Sequence, residues 1–356
     1  MAKRRMLVLG GSLHHRGGLE GFCERASEAV NGAAAGWVAE WQPTDTAYLT
    51  PKLLPRVAGR LKELLSARRA GVDLIWLQWS TLADLVFLLE ARALGVPVMV
   101  TPHLGANARL QRVPMLRRLC LALLSRASRI AMLFDGQQDE IALPDGVPRS
   151  TIRTFLPPAS LTTAAPARTG AILRIIHAGR LSEGKGTFRT VELCAALRAR
   201  GVQVSAQIIG RADEQTMGKL RAMITAEQLG QAVSLVDWMA EADLVRSLGE
   251  ADVLAHLSTL DSFPLIVMEA LAMGAVPVVG EMAGARSMVS RYGGHVAHGS
   301  SAADAADWLA ARSITSLRAA GREAAERVRA DYGWAACAQQ AIAAADATVS
   351  VIGRPA

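Results

Sequence analysis

Eleven short apolar runs, none with the clean in–out alternation of a half-exposed strand, are strung along the chain with helical segments between them. In the first half they read MLVLG, WVAEWQ, DLIWLQW, VPVMVT, RIAMLF and TIRTFL. In the second half they read ILRIIHAG, VQVSAQIIG, VSLVD, DVLAHLS and AVPVVG. Runs of this kind are buried on both faces, and the helices between them supply the crossovers that parallel pairing requires. One such segment, 53–70, carries a single apolar stripe of Leu53, Val57, Leu61, Leu64 and Leu65. The expected fold class is therefore α/β, built from doubly wound parallel sheets.

The pattern breaks once, at FLPPASLTTAAPARTGA, and then restarts. Pro157–Gly170 reads as an interdomain linker. A chain of 356 residues suits two cores better than one. Two Rossmann-like domains, 1–160 and 171–330, are expected, with ligands held at the carboxyl ends of their strands in a central cleft. With 51% hydrophobic and 20% charged residues, disorder is excluded. No run approaches the ~20 apolar residues of a membrane span, so the chain is expected to be soluble or to lie on a membrane surface. Four scattered cysteines without paired spacing point to a reducing cytoplasm and to no structural zinc.

The net charge of +7 calls for an acidic partner: nucleic acid, anionic lipid or a phosphorylated substrate. RLQRVPMLRRLCLALLSRASRI holds six arginines and no acidic residue, with leucines at helical spacing. Such a segment can lie on an anionic membrane, or it can pack its leucines inward and leave its arginines in water. Basic clusters without interleaved aromatics make nucleic acid a weak candidate.

Four stretches can carry chemistry. In LDSFPLIVMEALAMGAVPVVG, Asp261 or Ser262 can cap a helix with Pro264 in its first turn, and Glu269 lies nearly two turns in. The two carboxylates can flank one ligand, or be a cap and a solvated helix residue. In IIHAGRLSEGKG, a strand runs into a glycine-rich loop carrying Arg180 and Lys185, suited to a diphosphate though without P-loop spacing. In VLGGSLHHRGGLEGF, a glycine turn leads to a helix near Gly18, without the dinucleotide fingerprint. His14 and His15 there are adjacent and poorly placed to share a metal. In VMVTPHLGAN, His103 follows a strand at its carboxyl end, as a cleft residue or a structural one.

Taken in order, GR…KG, then EADV, then an acidic pair eight apart, then EALAMGAVPVV resembles the nucleotide-sugar domain of retaining glycosyltransferases of the GT-B fold, family 4. The resemblance covers roughly Ile175 to Ala285; RGGLE and VTPH are looser matches in the first half. It implies that Arg180 and Lys185 hold the donor diphosphate and that Glu269 accepts hydrogen bonds from ribose. It places Asp261, Phe263, Pro264 and Leu265 around the transferred sugar, Gly17 and Gly18 toward the diphosphate, and His103 near the anomeric carbon. It further implies a metal-independent, retaining transfer without a cofactor, an acceptor-binding first domain, and a final helix within 331–356 packed back on that domain. Family members work on polysaccharides and glycolipids, so a glycan or polyprenyl-diphosphate-linked acceptor is expected at the inner face of the plasma membrane.

Two departures stand out. Asp261 is a methylene shorter than the family's usual Glu, a difference of ~1.5 Å. Arg286 or Ser287 stands where many members carry a carboxylate. These leave room for a noncatalytic nucleotide-sugar-binding scaffold. Another GT-B enzyme, an epimerase or a phosphorylase, is a further alternative.

Overall fold

The computed structural model describes residues 3–350 apart from 15–16, 34–35, 47–53, 163–165 and 262, and apart from the side chain of Ala67. The chain divides into two compact units, Met1–Phe155 with Tyr332–Ala356, and Leu156–Asp331.

The first unit contains β1 (Arg4–Leu9), β2 (Trp37–Gln42), β3 (Leu74–Trp79), β4 (Val98–Pro102), β5 (Arg129–Met132) and β6 (Arg149–Thr151). They form one parallel sheet in the order β2-β1-β3-β4-β5-β6. Every residue of β3 is buried, its one polar side chain, Gln78, included, whereas edge strand β2 alternates. One face is covered by helices Leu54–Arg69, Asp84–Ala93 and Pro114–Leu124, which bring Leu64, Leu85, Leu88, Cys120 and Leu124 into a common core. Helix Gly18–Gly32 packs against the last helix, Trp334–Ser350. That last helix is tied to the sheet by Asp346, which accepts from Trp37 Nε1 at 3.0 Å and from Arg4 at 2.9 Å. Its buried stripe of alanines allows close packing.

The second unit contains β7 (Leu173–Ala178), β8 (Val204–Ile209), β9 (Val233–Val236), β10 (Val253–His256), β11 (Val276–Val279) and β12 (His295–Val296). Its sheet is also parallel, in the order β12-β11-β10-β7-β8-β9. Helices Thr187–Ala199, Glu214–Ala226 and Ala302–Ala310 supply one core cluster. The stretch read as a linker holds the short helix Pro158–Thr162, which packs on helices Glu241–Glu250 and Leu265–Ala272. Its proline occupies the first helical position, where a missing N–H costs nothing.

Both fold classes follow the sequence expectation; details differ. TIRTFL pairs only through Thr151, because β6 ends there and 152–157 is irregular. β12 is two residues long and has no pattern to read. Leu65 is 43% exposed, so the stripe of helix Leu54–Arg69 narrows to Val57, Leu61 and Leu64; Leu53 lies outside the described residues.

In each sheet the connections diverge from a central pair, β1 and β3 in the first and β7 and β10 in the second. Such switch points open a crevice outside the carboxyl ends of the two strands. The loops that follow β7 and β10 carry Arg180, Lys185, Asp261, Phe263 and Pro264, and Leu265 and Glu269 stand on the helix that follows the second loop.

Candidate functional site

The loop after β7 is set by a buried histidine that the sequence reading passed over. His177 Nδ1 donates to the Ala255 carbonyl at 2.9 Å, which leaves Nε2 to accept from the Thr187 hydroxyl at 3.1 Å. The same hydroxyl accepts from the Ser182 amide at 3.1 Å, tying the two ends of the loop together. Gly186 turns the chain into helix Thr187–Ala199 with φ +80°, and a Cβ there would lie 2.4 Å from the Leu257 oxygen. Only glycine satisfies both demands. Arg180 is exposed at the start of this loop and Lys185 is half-buried at its end.

The loop after β10 is clasped to it. Thr259 N donates to the Gly184 carbonyl at 2.9 Å, and Arg189 Nε donates to the Leu257 carbonyl at 2.8 Å. The clasp brings together Lys185 and Asp261, whose charged groups form an ion pair. The other oxygen of Asp261 accepts from His256 Nε2 at 2.9 Å. Burial opposes ionisation of Asp261, but the hydrogen bond and charge of His256 and the charge of Lys185 outweigh it. The carboxyl therefore lies well below the ordinary carboxylate range.

Asp261 is thus no helix cap. Helix Leu265–Ala272 begins one residue after Pro264, which stands at the cap position with φ −73° and ψ 104° and gives the turn no side-chain hydrogen bond. Pro264 lies before the first turn rather than in it, and Ser262 lies outside the described residues. Phe263 and Leu265 are half-buried beside buried Pro264, and Glu269 is half-buried one turn into the helix. Arg286 is exposed and pairs with Glu281 at 3.4 Å.

A pocket of about 340 Å³ at the ends of β8 and β9 was not legible in the sequence. Gly210, Arg211, Met217, Arg221, Leu235 and Asp237 line it, with Arg211 and Asp237 paired at 2.9 Å.

In the first unit, Gly17 precedes helix Gly18–Gly32, and the loop closes on the helix's own Glu20. Glu20 accepts from the Ser12 amide at 3.1 Å, and a Cβ on Gly11 or Gly17 would lie 3.1 Å from its side chain. A carboxylate thus already occupies the favourable electrostatic position at this helix start. Ser12 Oγ donates to buried Asp45 at 2.6 Å. His103 Nε2 donates to Gln78 Oε1 at 2.9 Å, and the His103 ring meets the edge of Phe22 at 5.0 Å. Desolvation pushes the His103 imidazole down to about 3, so near neutrality it is an uncharged hydrogen-bonding group. His14 N donates to Ser12 Oγ, and His15 lies outside the described residues.

The arginine-rich segment forms helices Arg109–Arg112 and Pro114–Leu124. Its apolar residues divide: Cys120 and Leu124 are buried, whereas Met115 is 74% and Leu119 43% exposed among exposed Arg112, Arg117, Arg118 and Arg126.

The buried histidine of the first loop has a consequence for stability. Burial pushes His177 down to about 4, against the donation of its Nδ1 to Ala255. The unfolded chain then binds the proton more readily, with its ordinary value near 6.5. Stability is therefore expected to fall as pH is lowered from about 6.5 to about 4. Urea midpoints measured across this range should decline, and His177→Gln, which cannot titrate, should flatten the decline.

Residues 171–326, less than half of the chain, match the family model described as glycosyl transferases group 1. The amylovoran biosynthesis glycosyltransferase AmsK of Erwinia amylovora is 32% identical over 123 residues, which cover 33% of this chain and 30% of that protein. The chain thus spans about a third of the length of the curated relative it matches. Among solved structures, Anabaena Alr3699/HepE in complex with UDP and glucose superposes with a TM-score of 0.72 at 16% identity, covering 97% of this chain and all of that one. Sucrose-phosphate synthase from Thermosynechococcus elongatus superposes with a TM-score of 0.72 at 19% identity, covering 98% and 100%. At these identities the likeness is one of fold: two parallel-sheet α/β domains of the GT-B kind.

Proposed function

We propose that the chain is a retaining glycosyltransferase of family 4, moving one sugar from a nucleoside-diphosphate donor to a glycan acceptor in bacterial polysaccharide or glycolipid synthesis. The observation that carries this reading is the contact of Lys185 with Asp261 at the switch point of the second sheet, inside the segment that matches the glycosyltransferase model. A relative in amylovoran biosynthesis and a neighbour holding UDP and glucose point the same way.

In this reading Lys185 and Arg180 neutralise the donor diphosphate, and their charge gains importance as the nucleoside diphosphate departs. Glu269 accepts from the ribose hydroxyls. Asp261, Phe263, Pro264 and Leu265 surround the sugar. Gly17, Gly18 and neutral His103 are the first domain's own candidates for contact with the donor. Two cationic side chains supply the charge that a metal provides elsewhere, so transfer should persist in a chelator and needs no cofactor. Calorimetric titration with UDP- and GDP-sugars and their free diphosphates tests the reading. Binding of one donor and its transfer to a glycan support it; the absence of both in folded protein would favour a noncatalytic scaffold.

The acceptor is proposed to be lipid-linked, with the protein cytoplasmic and peripheral at the membrane's inner face. Among the described residues no helix is long and apolar enough to cross a membrane. Exposed Met115 and Leu119 beside exposed arginines make helix Pro114–Leu124 a basic amphipathic surface. Co-sedimentation with phosphatidylglycerol vesicles is expected, with little binding to phosphatidylcholine and loss in Met115→Asp/Leu119→Asp. Equal binding of the variant would remove this helix from the proposal.

A further inference from the structure

We infer that His256 is a positioning residue for the donor sugar: it retains Asp261 while Lys185 passes from that carboxylate to the donor diphosphate. The inference rests on the functional reading above and assigns a role to a side chain outside its set of donor-binding residues.

Both oxygens of Asp261 are engaged, one by Lys185 and the other by His256 Nε2 at 2.9 Å. The two partners differ in how firmly they are held. His256 is the last residue of β10, 4% exposed, in register with Val279 of β11, and its carbonyl accepts from Gly280 N at 3.0 Å. Lys185 reaches in from a different loop on a flexible four-carbon stem. A diphosphate carries more charge than one carboxylate and competes for the same ammonium. Once Lys185 turns to it, Asp261 has one oxygen free to accept from a sugar hydroxyl. The loop carboxylate keeps its direction only if the other oxygen stays anchored, and His256 is that anchor.

The state of the imidazole supports a functional reason for its presence. Nε2 is engaged with the carboxylate, and the ring's other nitrogen, Nδ1, is buried with no hydrogen-bond partner among the described residues. The ring of His177, stacked 6.5 Å away, offers nothing, because both its nitrogens are committed elsewhere. A polar atom left unsatisfied in a sheet interior is a cost that an apolar side chain would avoid. What the imidazole supplies in return is the bond to Asp261, which also suits the shorter reach of aspartate at this position.

The test compares UDP with UDP-glucose, or GDP with GDP-mannose if wild type selects guanine, on wild type, His256→Leu and His256→Gln. Leucine removes the donor; glutamine places an amide N–H near the Nε2 position. His256→Leu is expected to bind the free diphosphate within about twofold of wild type but the sugar nucleotide about tenfold more weakly. Its melting temperature should not fall, and His256→Gln should recover most of the sugar-dependent affinity. Equal losses for diphosphate and sugar nucleotide, no loss for either, or a failure of glutamine to rescue would overturn this inference alone. If wild type binds no nucleotide sugar, the functional reading falls and this inference falls with it.

Discussion

Lys185→Ala is expected to lower kcat/KM for sugar transfer by roughly 10²–10³-fold while the protein stays folded. The fold should survive because the loop does not depend on the ammonium. Its backbone is held by the bond from Thr259 N to the Gly184 carbonyl and by the Ser182–Thr187–His177 chain. Asp261 keeps its bond to His256. The loss should fall mainly on kcat, since negative charge on the diphosphate grows as the bond to the sugar breaks. Lys185→Arg should recover little, because a planar fork does not reproduce a compact ammonium on a flexible stem. Initial rates with a confirmed donor, beside thermal melts of the same preparations, measure both halves of the expectation. Unimpaired transfer by folded Lys185→Ala would remove this loop from the site.

Glu269→Ala should behave differently, with donor affinity down by about 10–100-fold and kcat changed little. Ribose hydroxyls are remote from the reacting bond, so a carboxylate that accepts from them binds ground state and transition state alike. UDP and UDP-glucose should therefore weaken equally, in contrast to the sugar-dependent loss expected for His256→Leu. Helix Leu265–Ala272 should tolerate the change, because Glu269 is half-buried and alanine is the best helix former. Calorimetry with both ligands reads the distinction directly. Undiminished UDP binding would displace Glu269 from the nucleoside end of the site.

Local signals carried the sequence reading a long way at the loops and less far at their contacts. Arg180 and Lys185 were legible because a strand ending in a glycine-rich basic loop has a local pattern. His177 and His256 were not, since a histidine inside an apolar run looks like any other core residue until its neighbours are known. Asp261 was open to a capping role because capping is a local event, and the helix start at Leu265 removed that role. The basic segment 109–130 was ambiguous for a similar reason. Helical spacing cannot tell which leucines a fold covers, and the structure buries Leu124 while leaving Leu119 exposed.

What the sequence by itself determined is the architecture: uninterrupted buried strands alternating with helices admit only parallel sheets covered on both faces, once in each half of the chain. What tertiary structure alone decided is the partnership of side chains. Lys185 and Asp261 are 76 residues apart, and they meet because the strand order sets β7 beside β10 although two strands intervene in the chain. Hydrophobic periodicity records which face of an element is buried; it does not record which element lies next to it.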